Sequence, residues 1–122
     1  MRLGIDLLGA GELDRLCRRR WFTRYAFAPA ELAHAADLSG ARKEEFLAGR
    51  FAAKEAVMKV LGVGLFDGVL PCDIAVVAAP GGPPGVTLCR SAGRAAELAG
   101  ISQVTVSITH KNGMVAAVAA GW

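Results

Sequence analysis

The stretch Phe46 to Gly62, FLAGRFAAKEAVMKVLG, constrains this chain more than any other. Its apolar residues recur with a helical period: at about 100° per residue, Leu47, Phe51, Met58 and Leu61 share one face. Arg50 and Lys54 project from within that same arc, so two cations stand where a helix of an ordinary domain buries apolar groups. Glu55 and Lys59 sit at the edge of the arc beside Ala48 and Ala52, whose small side chains let another segment or a ligand approach closely. The pattern suits the floor of a site. It also admits a plainer reading, because Glu55 and Lys59 are i and i+4 and form an ordinary helix-surface pair worth roughly a few tenths of a kcal/mol.

A chain of 122 residues is expected to form one domain, residues 1–122, with a modest core. Hydrophobic residues make up 53%, and a small chain this apolar is expected to cover part of its surface by self-association. The net charge of +3 is mild but concentrated, since Arg15, Arg18, Arg19, Arg20 and Arg24 share a stretch without an acid. That patch suits nucleic acid, a membrane surface or an acidic protein, or is merely a solvated basic face. Cys17, Cys72 and Cys89 are odd in number, widely spaced and without a CxxC pair, which argues against a disulfide framework or zinc site and fits a reducing cytoplasm. No apolar run approaches the ~18 residues that span a bilayer, and Asp6 interrupts the first one, so neither a membrane segment nor a targeting segment is expected.

Leu3, Ile5 and Leu7 alternate with Gly4 and Asp6, which predicts a strand with Asp6 opposite Leu3 and Ile5. Gly9 and Gly11 break it, and Glu12 to Arg20 reads as a helix with its acid near the start and cations near the end. Pro29 opens a short helix to about Ala36, and Ser39 or Gly40 starts the long helix, which ends at Gly62 or Gly64. Cys72 to Ala79 and Val86 to Cys89 read as paired strands around the Pro80–Gly85 turn. Ser91 reads as the cap of a helix stopped by Gly100. Val104, Val106, Ile108 and His110 then alternate with Thr105, Ser107 and Thr109, and Asn112-Gly113 turns the chain into a last strand, Met114 to Ala120. The fold class is therefore α+β: a small, mostly antiparallel sheet packed with a long central helix and shorter helices.

Asp6 and Glu55 are each flanked by small residues, and oxygen ligands of that kind suit Mg²⁺. A site with one or two carboxylates completes its shell with phosphate oxygens, for which Arg50, Lys54 and Lys59 supply the charge, so a diphosphate substrate is the natural candidate. Asp6 alone reads equally well as a turn carboxylate. His110 has the plainer reading of a core or turn histidine, although Ser107 and Thr109 beside it offer hydroxyls for phosphate. There is no Walker loop and no GxGxxG after a strand.

Three segments, the opening GIDLL with Asp6, the central FLAGRFAAKEAVMKVLG with Glu55 and the closing VTVSITHKNGMVAAVAA with Ser107 and His110, resemble the holo-acyl-carrier-protein synthase type of 4′-phosphopantetheinyl transferase in order and separation. The likeness spans nearly the whole chain. It implies the fold of that family, a cytoplasmic homotrimer with active sites at subunit interfaces, and Mg²⁺-dependent transfer of phosphopantetheine from coenzyme A to a serine of an acyl carrier protein. By the same resemblance Asp6 and Glu55 are metal ligands and, with Lys59 and His110, catalytic. Arg50, Lys54, Lys59, Pro84, Ser107, Thr109 and His110 are expected to line the coenzyme A pocket. An acidic carrier would be the partner of Arg15, Arg18, Arg19, Arg20 and Arg24. The chain departs from the family at Gly82-Pro83-Pro84, which lacks a lysine, and at Lys111, where some members carry an acid. The rival is a non-catalytic basic binding module for nucleic acid or an acidic protein; Trp21, Phe22, Tyr25 and Phe27 would be its stacking groups, but no reading motif accompanies them.

Overall fold

From strand β1 (Arg2–Gly9) the chain passes through short helices α1 (Asp14–Cys17), α2 (Arg20–Ala26) and α3 (Pro29–Ala36) into the long helix α4 (Gly40–Leu61). A 3-10 turn at Pro71–Asp73 leads to strands β2 (Ile74–Ala78) and β3 (Pro84–Leu88), helix α5 (Arg90–Ala99) and strands β4 (Val104–Lys111) and β5 (Met114–Gly121). This computed structural model describes residues 1–64 and 67–122. The strands form two antiparallel sheets, one of order β1-β5-β4 and one pairing β2 with β3, so the α+β class expected from the sequence is the one observed.

Helix α4 is the axis of the core. Ala48, Ala52, Ala53, Ala56, Val57 and Val60 along it are wholly buried. Small residues let neighbouring backbone lie directly on the helix: a Cβ at Gly4 would stand 2.0 Å from the Ala56 carbonyl oxygen, so only glycine brings β1 this close to α4. The helix stops at Gly62, whose φ of 76° lets its N–H donate to the Lys59 carbonyl while the Val63 N–H donates to that of Met58. Full burial of side chains such as Met58 and Val57 contributes about 1.5–3 kcal/mol each.

Three local expectations need correction. Glu12 to Arg20 is not one helix: Arg19 is extended, and α1 and α2 lie either side of it. Leu13 and Phe22 both reach the core, yet at about 100° per residue they would lie on opposite faces of a continuous helix. The break re-phases the chain. Cys72 and Asp73 belong to the 3-10 turn rather than to a strand, and β3 starts earlier than expected, at Pro84, and stops before Cys89. Ser91 does not cap α5; Cys89 holds that position, and the Ser91 hydroxyl and N–H instead donate to buried Asp73. A carboxylate in need of donors takes precedence over the local cap.

The three-stranded sheet presents Gly4, Leu8, Val106, Val115, Ala117 and Ala119 to the core. Across β1 and β5 its other face is apolar too, but open: Leu3, Ile5 and Leu7 are 69%, 67% and 64% exposed, with Met114 and Val118 beside them. No helix among the described residues is long and apolar enough to cross a membrane.

Candidate active site

Because Gly4 seats β1 on α4, the next inward-facing residue, Asp6, arrives beside the last turns of the helix. There the Lys59 ammonium donates to the Ile5 carbonyl at 2.6 Å and to Asp6 Oδ1 at 3.4 Å. Glu55, one turn earlier, is half-buried, and burial pushes its carboxyl pKa up; the charge of Asp6 pushes it further and Lys59 pulls it back. Glu55 and Lys59 line a shallow recess of about 60 Å³ with Met58, Val63 and Gly64. The structure thus brings together Asp6, Glu55 and Lys59. A third carboxylate, Glu12, also raises Glu55, although its Oε1 accepts the Gly9 N–H at 3.2 Å. In the sequence Glu12 stood out only as the acid at the start of the helix expected after the strand.

The remaining candidates lie elsewhere. Lys54 does not line a pocket, contrary to expectation: it is wholly buried, paired with Glu31 Oε1 at 2.6 Å, and donates to the carbonyls of Pro71, at 3.1 Å, and Ile74. Arg50 lies in a different recess of about 60 Å³ formed by α3, α4 and β2, with its guanidinium 4.6 Å over the Phe46 ring and His34 stacked 4.6 Å from that ring. The Arg50 Nε is buried with no hydrogen-bond partner among the described residues. Glu31, His34 and Phe46 were not singled out from the sequence, and only a known partner such as Arg50 could have drawn attention to them.

His110 does face the same side as Val106, but its Nδ1 lies 3.3 Å from Glu45 Oε2, near the start of α4, while Glu55 and Lys59 lie near its end. Ser107 and Thr109 point to the open outer face of the sheet, and Pro84 opens β3 opposite Ala78. Within the chain these residues do not join Asp6 and Glu55. Arg15, Arg18, Arg19, Arg20 and Arg24 are all exposed on or beside α1 and α2, and Trp21 among them is 62% exposed. A larger recess of about 220 Å³, lined by Leu13, Cys17, Arg18, Lys43 and Leu47 among others, adjoins this patch rather than the carboxylates. Its lining also includes Asp14 and Glu44, but none of Asp6, Glu55 and Lys59.

Residues 2–119 match the family model described as the 4′-phosphopantetheinyl transferase superfamily. The chain belongs to that superfamily. Among curated relatives, the holo-[acyl-carrier-protein] synthase of Moorella thermoacetica is 40% identical over 98% of this chain and 91% of its own length. The synthase of the same name from Nitratidesulfovibrio vulgaris is 38% identical over 95% and 93%. The crystal structure of the Neisseria meningitidis synthase superposes with a TM-score of 0.85 at 26% identity, covering 98% of this chain and 96% of that one. The Helicobacter pylori synthase, solved in complex with coenzyme A, superposes at 0.80 with 27% identity, covering 99% and 100%. For a phosphopantetheinyl transferase superfamily member, the placement of Asp6, Glu55 and Lys59 together on β1 and α4 is the feature of this chain with most chemical content.

Proposed function

We propose that this chain transfers the 4′-phosphopantetheine group of coenzyme A to a serine hydroxyl of an apo acyl carrier protein, releasing adenosine 3′,5′-bisphosphate. The observation that carries the reading is the meeting of Asp6, Glu55 and Lys59 at the end of α4 in a chain whose relatives bear the synthase name. The donor set fits Mg²⁺: the charge of Asp6 raises the Glu55 carboxyl, and one ammonium, that of Lys59, lies 3.4 Å from Asp6, so the site offers two carboxylates to a hard cation. Bound there by Asp6 and Glu55, Mg²⁺ would act as a Lewis acid toward a diphosphate oxygen. Lys59, held in place by the Ile5 carbonyl, offsets negative charge on the departing bisphosphate, and Arg50 offers guanidinium donors to an anionic group of coenzyme A.

The assembly is a homotrimer whose subunits cover each other's open apolar sheet face, Leu3, Ile5, Leu7 and Val118. Interfacial pockets give His110, Ser107 and Thr109 a route to Asp6 and Glu55 of a neighbouring copy that a single subunit does not offer. The exposed arginines of α1 and α2 dock the acidic carrier, and the enzyme works in the cytoplasm as one catalytic domain. The test is direct: with coenzyme A, Mg²⁺ and an apo carrier, the purified protein raises the carrier's mass by one phosphopantetheine group. Folded protein that leaves several apo carriers unchanged in mass overturns the reading. Sedimentation of a monomer at micromolar concentration overturns the trimer.

A further inference from the structure

The buried Nε of Arg50 has no hydrogen-bond partner among the described residues although Arg50 shares a recess with the buried carboxylate of Glu31, which is unusual for a guanidinium, because carboxylates are its preferred two-pronged partners. We infer that Lys54 is a positioning residue: by occupying Glu31 it keeps that carboxylate from capturing Arg50, and so leaves the Arg50 guanidinium free for an anionic group of the ligand. The inference rests on the reading of Arg50 as a coenzyme A contact.

The geometry of Glu31 carries the argument. It is 1% exposed, and its Oε1 accepts the Ala28 N–H at 2.7 Å and the Lys54 ammonium at 2.6 Å while its Oε2 accepts the Val76 N–H at 2.9 Å. Both oxygens are engaged. Lys54 is fixed in turn, since its three donors go to Glu31 and to the Pro71 and Ile74 carbonyls. Arg50, one turn earlier on α4, lines the same recess as Glu31 and feels its charge: burial lowers the guanidinium pKa and Glu31 raises it again. Yet the two form no ion pair, and Arg50 lies instead over Phe46, backed by His34. Without Lys54, Glu31 becomes an uncompensated buried anion, with Arg50 lining the same recess. Pairing the two draws the guanidinium inward and takes it from the ligand.

A purely mechanical role for the Lys54–Glu31 pair, tying α3, β2 and the 3-10 turn to α4, makes different predictions. Coenzyme A and adenosine 3′,5′-bisphosphate binding, measured by titration calorimetry with Mg²⁺ present, separates the two. Lys54→Met is expected to weaken binding about tenfold or more, the loss of one charge-assisted contact. The double variant Lys54→Met, Glu31→Gln is expected to regain binding to within about threefold of the parent, because the competing charge is gone. Glu31→Gln alone is expected to retain or tighten binding even as its thermal midpoint falls. Should Lys54→Met fail to fold, the other two variants decide, since a mechanical tie requires both to bind weakly. A double variant as weak as Lys54→Met, or a weakened Glu31→Gln, overturns the inference. Arg50→Ala that binds coenzyme A normally removes the underlying reading of Arg50 instead, which keeps the two failures distinct.

Discussion

Lys54 and Lys59 sit little more than a turn apart on α4, and one is locked into the fold while the other borders the proposed site. The Lys54–Glu31 pair is 0% exposed on both sides at 2.6 Å; the Lys59–Asp6 pair is looser at 3.4 Å, and the Lys59 side chain is 53% exposed. Burial lowers the Lys54 pKa and Glu31 pulls it back up, so its charge is retained only through fixed partners. Lys59 keeps water access and can exchange one partner for another. What separates them is the neighbour each helix face meets. Lys54 faces α3, β2 and the 3-10 turn, where carbonyls and a carboxylate close around it; Lys59 faces the outer part of β1, where Ile5 and Asp6 hold it from one side only.

The site side should break first and hardest in turnover. Asp6→Asn and Glu55→Gln keep shape and remove charge, and each is expected to lower kcat on the order of 100-fold or more in a carrier-modification assay. If both share one ion, the double variant is little worse than the poorer single one. Near-normal turnover of Glu55→Gln, with normal magnesium dependence, would return Glu55 to an ordinary surface pair with Lys59.

Stability sharpens the contrast between the lysines. Lys54→Met leaves a buried anion and is expected to lower unfolding free energy by about 3–5 kcal/mol in urea titrations. Lys59→Met, at a largely exposed pair, is expected to change it by no more than about 1 kcal/mol while turnover falls. Equal losses of stability in the two variants would erase the distinction.

The sequence made much of this legible where function and fold share a local pattern. The helical period of Phe46–Gly62, with Ser39 or Gly40 as the start and Gly62 or Gly64 as the stop, predicted α4 almost to its ends, and the alternation around Asp6 placed that carboxylate opposite Leu3 and Ile5 as found. The role of Lys54 was not legible, because a lysine within an apolar arc reads as a ligand contact unless its partner is known. Glu31, in the ordinary context PAELAH, gives no sign of being buried, and only the tertiary fold carries it to Lys54. The α1–α2 break escaped notice for a related reason: Leu13 and Phe22 each suit a helix, and only their common burial shows that one helix cannot serve both.

The arginine patch lies apart from both lysines, and its variants test whether docking is separable from each. Reversing Arg18, Arg19 and Arg20 to Glu is expected to raise the KM for the carrier several-fold, on the order of tenfold at low salt, with coenzyme A binding and urea stability unchanged. Added salt should weaken carrier use by the parent and narrow the gap. An unchanged carrier KM would remove the docking role.

The smallest effect concerns the cradle around Lys54. Pro71 and Ile74, whose carbonyls accept from Lys54, flank a turn held by Asp73, itself 2% exposed. Burial alone would raise the Asp73 carboxyl, but the hydroxyl and N–H of Ser91 and the guanidinium of Arg90, at 3.0 Å, outweigh it and hold the pKa below the ordinary value. A carboxyl whose pKa falls on folding stabilises the fold above its unfolded value, near 3.9, and loses that contribution as pH drops through the lower folded value. Asp73→Asn is therefore expected to destabilise the protein by about 1 kcal/mol near neutral pH, with the difference from the parent shrinking below about pH 4. Because the turn supports Lys54 and not Lys59, kcat at saturating substrate should stay within about twofold of the parent. A pH-independent stability loss would mean that Asp73 acts through packing alone, and a large fall in kcat would mean that the fold-side and site-side cations are coupled after all.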